Sequence, residues 1–260
     1  MSYTLVTAKK SPDLDAIASG ICYAYFLNHR EQTDTYIAAF AGSIQYEPIL
    51  ALDYLDSIDQ LLYIPNIQEQ YQFEKFILLD YSERFGTSDI VIPEHVIEVV
   101  DHKLFPKYQD FPNADYRIEY VWAAATIIAE RFYFHPEIEL PKVYANLLLG
   151  AIFSNSLNFK ARMAGFRDTR MAQWLITKGA DPKFPIYLAQ QKSIFTQEHM
   201  MQVLAEDSKL VMLDNGQLVD YLQLEVRDAS RYLANIPIVQ DHLQKIHDEV
   251  DCLNILHIHD

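Results

Sequence analysis

Tyr3-Thr-Leu-Val-Thr-Ala-Lys-Lys-Ser-Pro-Asp13-Leu-Asp15 is the stretch that predicts how the chain begins to fold. Residues 3–7 are apolar and β-branched, which indicates a short buried strand, and residues 16–27 carry helix formers at helical spacing. Asp13 and Asp15 lie in the turn between these elements, so their carboxylates face one small volume. Hard divalent cations bind such oxygen ligands. Because Asp is also common in turns and at helix N-caps, a capping loop is the alternative interpretation.

Three further segments end an apolar strand or helix with polar residues. They are residues 76–83, which include Asp80, residues 96–103, which include Asp101 and His102, and residues 147–156, which include Asn155. Polar groups at the carboxyl ends of parallel strands meet in one crevice, which is where open α/β sheets bind ligands. We therefore expect one site, built from distant parts of the chain.

The chain is predicted to be an α/β protein with a mostly parallel sheet and helices on both faces. Strand-like and helix-like stretches alternate from residue 3 to about residue 179, as in parallel sheets. Strands are predicted near residues 3–7, 35–40, 76–80 and 96–100. Helices are predicted at residues 16–28, 47–55, 121–134, 141–157 and 167–178, with a short one within 63–74.

A second, smaller α+β domain is predicted to follow. Gly179, Pro182 and Pro185 come after a helix, which indicates a domain boundary. The predicted division is 1–180 for the first domain, 181–187 for a linker and 188–260 for the second domain. Within the second domain we predict a helix at 188–205, a hairpin of strands 209–213 and 218–225 around Asn215-Gly216, a helix at 239–250 and a strand at 253–257.

The composition excludes several classes of protein. A net charge of -15 argues against a surface for nucleic acid or anionic membrane, because phosphate groups require clustered Lys and Arg. No apolar run approaches the about 20 residues of a membrane span, and the first residues do not resemble a signal peptide. Cys22 and Cys252 are far apart, which indicates reduced thiols and a cytoplasmic location. Glycine-rich dinucleotide and P-loop motifs are absent.

The order of the motifs resembles the DHH phosphoesterase superfamily, and most closely its manganese-dependent (family II) inorganic pyrophosphatases. The matching motifs are Asp-x-Asp at 13–15, a strand ending in Asp80, Asp-His at 101–102, and a helix ending in Ser-x-Ser around Asn155. The resemblance covers nearly the whole chain and implies a DHH-type first domain. It also implies hydrolysis of pyrophosphate or a short polyphosphate to phosphate, with Mn²⁺ or Mg²⁺ as the cofactor.

The resemblance implies a role for each matched residue. The implied metal ligands are Asp13, Asp15, Asp80 and His102, and the implied catalytic residues are Asp80, Asp101 and His102. We further expect substrate to be bound by Lys9, Lys103, Asn155 and Lys192. Lys192 would reach the crevice from the second domain. The alternative for Lys192 is a solvated side chain at a helix end, where a cation is favoured by the helix dipole.

Three positions depart from the family pattern. Lys9 stands where the family has a His ligand, Lys103 replaces the last His of Asp-His-His, and Asn155 stands where the family has a metal-ligating Asp. A charged ammonium has no lone pair with which to bind a metal. We therefore expect fewer bound ions than in intact relatives, with Asn155 as a neutral oxygen ligand of one ion.

Lys9 is predicted to pair with Asp13 and Asp80, so that a single positive charge partly replaces a divalent ion. Lys9 and Lys103 would then hold a phosphate electrostatically, and water activation would be weak. The alternative function is a catalytically inactive relative that binds a phosphorylated ligand or a protein partner. In the plainest alternative, both lysines are solvated loop residues.

The end of the chain also differs from the family. The resemblance implies a longer second domain with a Ser-Arg-Lys substrate signature, which this sequence lacks, so we expect either a shortened relative or a cut sequence. A last strand with an exposed edge favours association, which predicts a homodimer or a covered edge. His257 and His259 are expected to be surface residues rather than metal ligands. Arg162, Arg167 and Arg170 are expected to be surface charges rather than anion ligands.

Overall fold

The computed structural model divides the chain into two compact units, Met1–Pro185 and Ile186–Asp260. It describes residues 2–103, 105–160, 165–192, 204, 208–213, 215–225, 230, 234–250 and 252–259. Within these residues, no helix combines the length and the apolar character that crossing a membrane requires.

The first unit contains a five-stranded sheet in which every neighbouring pair of strands is parallel. Its strands are β1 (Tyr3–Thr7), β2 (Tyr36–Ala38), β3 (Phe73–Leu79), β4 (Val96–Asp101) and β5 (Asp115–Ile118), in the order β2-β1-β3-β4-β5. This sheet confirms the predicted fold class. The edge strand β5 was not predicted, because it is short and its residues alternate between exposed and half-buried. At β2 the predicted strand was too long by three residues.

Six helices follow or connect these strands. They are α1 (Leu14–Glu31), α2 (Tyr46–Tyr54), α3 (Ile64–Ile67), α4 (Ala124–Phe134), α5 (Lys142–Asn155) and α6 (Phe166–Thr177). Helix α1 begins two residues before the predicted start, because Asp13 caps it: Asp13 Oδ1 accepts a hydrogen bond from the backbone N–H of Ala16 at 3.0 Å. It ends at Gln32, which has the left-handed conformation with φ of 52°.

Both faces of the sheet are covered. Leu5 and Val6 are consecutive in β1 and both fully buried, and consecutive strand residues point to opposite faces. The cluster that includes Leu5 contains Ile64 and Ile67 of α3 together with residues of the connecting segments. The long helices α1, α4 and α5 contact one another, and α1 also contacts β1 and β3. The predicted covering of both faces is confirmed, although one of the covering elements is a single short helical turn with loops.

The second unit contains a three-stranded sheet. The chain crosses the division between the units in α7 (Phe184–Lys192), and the second unit continues with β6 (Ser208–Met212), β7 (Leu218–Glu225), α8 (Ile236–Val250) and β8 (Leu253–His259). Strands β6 and β7 are antiparallel, and the turn between them includes Gly216 with φ of +80°. The predicted Asn215-Gly216 hairpin is therefore confirmed, although Asp214 lies outside the described residues.

Strand β8 pairs with β7 in parallel and lies at the edge of this sheet, as far as the described residues show. It extends two residues beyond the predicted end and includes His257 and His259. The homodimer expected from this edge stays a prediction. The helix predicted for residues 188–205 begins earlier, at Phe184, and residues 193–203 and 205 of that prediction lie outside the described part of the chain.

Candidate metal centre

Three side chains from different elements of the first unit meet beyond the ends of two adjacent parallel strands. Asp80 follows β3 directly, His102 follows β4 directly, and Asp15 lies in the first turn of α1. One ligand atom from each of these residues lies within 4.8 Å of the other two. Asp15 and Asp80 are buried, and the His102 side chain is 20% exposed. The sequence predicted this convergence from the polar ends of β3 and β4.

The backbone of Asp80 is held on both sides. Its N–H donates to Val100 O of β4 at 2.8 Å, and its carbonyl accepts a hydrogen bond from Lys103 Nζ at 3.1 Å. Asp80 has a φ of +55°, the left-handed region that residues other than Gly adopt rarely and Asp tolerates better than most. Such backbone strain is common at functional sites, where the surrounding contacts hold it in place.

His102 contacts Asp80 closely. Nε2 of His102 lies 3.0 Å from Asp80 Oδ1 and 3.9 Å from Asp15 Oδ2. Apart from this contact with His102, Asp80 Oδ1 is buried without a hydrogen-bond partner. Burial by itself would lower the pKa of His102, but the contact with Asp80 and the nearby carboxylates outweigh it and raise the pKa to about 9.

Asp15 is held by four hydrogen-bond donors. Its Oδ1 accepts from Ala125 N at 2.8 Å and from Ser19 Oγ at 3.3 Å, and its Oδ2 accepts from Ala124 N at 2.8 Å and from Asn155 Nδ2 at 2.7 Å. Two of the donors are the first amides of α4, where the helix dipole favours an anion. Burial nevertheless raises the pKa of Asp15 well above its ordinary value, and the charge of Asp80 raises it further.

Asp101 shapes the turn that carries His102. Its Oδ1 accepts hydrogen bonds from the backbone N–H groups of His102 at 2.7 Å and Lys103 at 3.3 Å. Its Oδ2 is buried without a hydrogen-bond partner. In this arrangement Asp101 fixes the backbone on which the imidazole stands.

The ammonium of Lys9 forms an ion pair with the carboxylate of Asp13. Lys9 Nζ lies 3.0 Å from Asp13 Oδ2, while Asp13 Oδ1 is taken by the amide of Ala16. Burial by itself would lower the pKa of Lys9, but Asp13 and then Asp80 outweigh it and raise the pKa. Burial alone would raise the pKa of Asp13, but chiefly Lys9 lowers it. The pairing with Asp13 predicted from the sequence is present, and Asp80 acts on Lys9 through its charge.

Asn155 presents its NH₂ group to Asp15, and its expected role as a neutral oxygen ligand of a cation stays a prediction. Its Nδ2 donates to Asp15 Oδ2 at 2.7 Å and lies 3.4 Å from Trp122 O. Both neighbours are acceptors, so only the NH₂ side of the amide fits between them. Asn155 is the last residue of α5, as the sequence predicted for the helix that reaches the crevice.

Lys103 supports Asp80 in addition to any contact with substrate. Besides donating to Asp80 O, its ammonium lies 5.2 Å from the centre of the Tyr81 ring, within the range of a cation–π contact. Lys192 is the last residue of α7 and belongs to the second unit, so its contact with the crevice stays a prediction.

The arginines near the fourth motif are engaged elsewhere. Arg167 forms ion pairs with Glu119 at 2.9 Å and Glu130 at 2.6 Å, and Arg170 donates to Tyr133 Oη at 2.7 Å. Arg162 lies outside the described residues. For Arg167 and Arg170 the structure thus has protein partners in place of an anion.

The sequence analysis missed the role of α4. Its N-cap, Ala123, has no side chain that can accept a hydrogen bond, so the first amides of α4 need acceptors from elsewhere. Asp15 is the acceptor for the amides of Ala124 and Ala125. Asp168 of α6 holds the same segment in a different way, through the amide of a residue before the N-cap and through a side chain of the first turn. Asp168 is fully buried and accepts from Trp122 N at 3.0 Å and Thr126 Oγ1 at 2.6 Å. The sequence signal that could have indicated this role is the Ala at the N-cap of α4, which leaves the first amides of the helix without a local acceptor.

Replacing Asp168 by Ala is expected to lower the free energy of unfolding by about 2 kcal/mol, because Trp122 N and Thr126 Oγ1 lose their acceptor. Urea denaturation of the metal-free protein measures this change. Asp89→Ala is the control, since the Asp89 side chain is 97% exposed and forms only a surface ion pair with Lys10. A loss no larger than that of the control would contradict the role assigned to Asp168.

One divalent cation fits this arrangement, and a second does not. The buried Asp80 Oδ1 lies beside His102 Nε2 and has no other hydrogen-bond partner; carboxylate oxygens suit magnesium and manganese, and the imidazole adds a nitrogen ligand. At Asp13, both oxygens are already engaged, one of them by the ammonium of Lys9. A second cation at Asp13 would meet this positive charge.

Comparisons with known proteins identify relatives in sequence and in fold. The chain is 27% identical over 248 residues to probable manganese-dependent inorganic pyrophosphatases of Bacillus cereus (strain AH187) and Bacillus anthracis (strain CDC 684 / NRRL 3495); each alignment covers 95% of this chain and 77% of the relative. A putative family II inorganic pyrophosphatase of Methanococcus jannaschii superposes with a TM-score of 0.72 at 26% identity, covering 100% of this chain and 83% of that structure.

A more distant protein shares the fold. A family model matches most of the first unit. An exopolyphosphatase-related protein of Bacteroides fragilis has the same fold, with a TM-score of 0.61 at 13% identity over 88% of this chain and 67% of that structure. The DHH family, N-terminal domain, matches residues 4–152, a range that includes Asp15, Asp80 and His102. The resemblance predicted from the sequence is confirmed: the chain belongs to the DHH family and is similar to the manganese-dependent, family II inorganic pyrophosphatases.

Proposed function

We propose that this protein is a metal-dependent phosphoanhydride hydrolase that converts pyrophosphate or a short polyphosphate to phosphate. The observation that carries the proposal is the cluster of Asp15, Asp80 and His102, whose ligand atoms lie within 4.8 Å of one another. The names of the similar proteins, manganese-dependent inorganic pyrophosphatases, support the same substrate class.

Asp80 and His102 would hold the cation, with Mn²⁺ or Mg²⁺ as the candidates. A divalent cation there supplies charge neutralisation of phosphate oxygens and lowers the pKa of a coordinated water. Asp101 orients the turn of His102, and Lys103 fixes the backbone of Asp80, so both act as positioning residues in this proposal.

The cationic side chains would bind the phosphate groups. Lys9 is three-quarters buried next to the carboxylates, and its ammonium lies where a substrate oxygen could exchange with Asp13 Oδ2. Lys103, which also donates to Asp80 O, is a further proposed phosphate contact. Because Lys9 supplies one positive charge where a cation would supply two, the expected turnover is lower than that of a two-metal centre.

Phosphate release from pyrophosphate and from tripolyphosphate, with Mn²⁺ or Mg²⁺, tests the proposal. Asp80→Asn keeps the size of the side chain but removes its charge, and it is expected to decrease the rate at least tenfold, because the principal buried carboxylate for the cation is lost. Asp89→Asn provides the same chemical change on the surface and is expected to retain the wild-type rate. Equal rates for wild type and Asp80→Asn would refute catalysis at this site.

A second function is a non-catalytic phosphate-binding protein. The observation in its favour is the ion pair between Lys9 and Asp13, which takes up the carboxylate available for a second ion. This alternative predicts calorimetric binding of pyrophosphate to the wild-type protein without release of phosphate.

A further inference from the structure

We propose that Asn155 closes Asp15 to the metal: the hydrogen bond from Asn155 Nδ2 fills the position on Asp15 Oδ2 that a cation would take. This inference rests on the proposed metal centre, and it deepens the proposed function by assigning a residue that sets the affinity for the cation. In this chain, the cation has to displace the Asn155 donor before Asp15 can become a ligand.

Asp15 already accepts as many hydrogen bonds as a carboxylate can take. An ionised carboxylate has about four lone-pair positions. All four are used within the protein, by Ala125 N and Ser19 Oγ on Oδ1 and by Ala124 N and Asn155 Nδ2 on Oδ2. Asp80 Oδ1, by contrast, is buried and has no hydrogen-bond partner apart from its contact with His102. Between Asp15 and Asp80, only Asp80 has an oxygen whose single close contact is the proposed ligand His102.

The contacts of Asn155 determine which end of its amide faces Asp15. Its Nδ2 also faces Trp122 O at 3.4 Å, so turning the amide over would place its oxygen against a carbonyl and a carboxylate. The neighbouring residues hold the end of α5 in place. Ser154 Oγ donates to Glu47 at 2.8 and 2.9 Å, and Ser156 Oγ accepts from Phe159 N at 3.2 Å. Asn155 is therefore fixed as a donor.

Among the four donors, Asn155 is the one that a cation can displace. Ala124 N and Ala125 N are backbone amides that the first turn of α4 holds in place. Ser19 Oγ donates to Oδ1 of Asp15 and not to Oδ2. His102 Nε2 lies 3.9 Å from Oδ2 of Asp15. A cation bound by His102 would therefore lie next to Oδ2, the oxygen that accepts the hydrogen bond from Asn155.

Two substitutions at Asn155 separate this role from that of a ligand. Asn155→Ala removes the donor and adds no ligand, so it is expected to tighten Mn²⁺ binding at least fivefold. A residue that ligates the cation through its oxygen would give the opposite result. Asn155→Asp removes the donor and adds a carboxylate, so it is expected to tighten binding at least tenfold. In EDTA both variants are expected to unfold at a lower temperature than wild type, because Asp15 loses a hydrogen bond.

Calorimetric titration with Mn²⁺, electron paramagnetic resonance of the bound ion and thermal unfolding in EDTA and in Mn²⁺ provide the readouts. Asn146→Asp is the matched control on the same helix, since the buried Asn146 bonds Lys142 O and Asp181 N. It is expected to lower the unfolding temperature in both solutions and to leave the Mn²⁺ affinity unchanged. Unchanged or weaker Mn²⁺ binding by Asn155→Ala overturns the inference. Tighter binding upholds it, even if no variant hydrolyses pyrophosphate, in which case only the proposed function fails.

Discussion

Replacing Lys9 by His and Asn155 by Asp in one protein is expected to raise the number of tightly bound Mn²⁺ ions from one to two. It is also expected to increase kcat/KM for pyrophosphate at least a hundredfold. Lys9 Nζ now takes Asp13 Oδ2 at 3.0 Å. An imidazole at position 9 would release that oxygen and offer a nitrogen lone pair to a cation. Two metal ions can stabilise both the attacking and the leaving oxygen of a displacement at phosphorus.

The two substitutions are expected to reinforce each other. Lys9→His alone frees Asp13 but withdraws a positive charge from a pocket that already holds several carboxylates. Asn155→Asp alone adds negative charge while Lys9 still blocks the second position. Residues of one network are rarely additive, so the rate gain of the double variant is expected to exceed the product of the two single gains.

Calorimetric stoichiometry and direct metal analysis measure the ion count, and phosphate release measures kcat/KM. Lys10→His with Asn155→Asp is the matched control, because Lys10 is the neighbouring lysine and pairs with Asp89 at the surface. One Mn²⁺ per chain in the Lys9→His variant, with or without Asn155→Asp, would show that the ammonium of Lys9 is not what excludes the second ion.

The sequence predicted the positions of those residues of the candidate metal centre whose location follows from the order of strands and helices. Asp80 and His102 follow adjacent parallel strands, and the carboxyl ends of such strands lie at one edge of the sheet. Asp15 follows from the strand–turn–helix unit at the start of the chain. These positions depend on topology, which the pattern of apolar residues determines.

The sequence could not show which lone pairs are already used. Asn155 offers both an oxygen and an NH₂ group, and the choice between them depends on Trp122 O, which belongs to a distant segment. Likewise, two of the four donors to Asp15 are amides of α4, which carry no side-chain signal because the residues there are Ala124 and Ala125. Contacts of this kind arise from tertiary packing, and a motif records only the residue types.

The metal-free protein is expected to lose stability as the pH rises from 6.5 towards 9, and His102 is the cause. The pKa of His102 is raised from 6.5 to about 9 in the folded chain, so its protonated form stabilises the fold. This contribution is fully present below pH 6.5 and is lost as the pH rises through about 9. From the size of the pKa shift, it is on the order of 3 kcal/mol.

Urea denaturation in EDTA, at pH values from 6 to 9.5, compares wild type with His102→Asn. The difference between their free energies of unfolding is expected to shrink with increasing pH, since asparagine cannot take up the proton. His29→Asn, an exposed position near the end of α1, controls for the loss of an imidazole as such.

The sign of this change follows from the charges around the ring. Burial disfavours the imidazolium, but Asp80 at 3.0 Å and Asp15 at 3.9 Å favour it more strongly. In the absence of a cation, the protonated ring is therefore a positive charge in direct contact with Asp80 and close to Asp15, in addition to the more distant charge of Lys9. If wild type and His102→Asn show parallel pH curves, His102 is neutral in the metal-free protein, and another group has to balance Asp15 and Asp80.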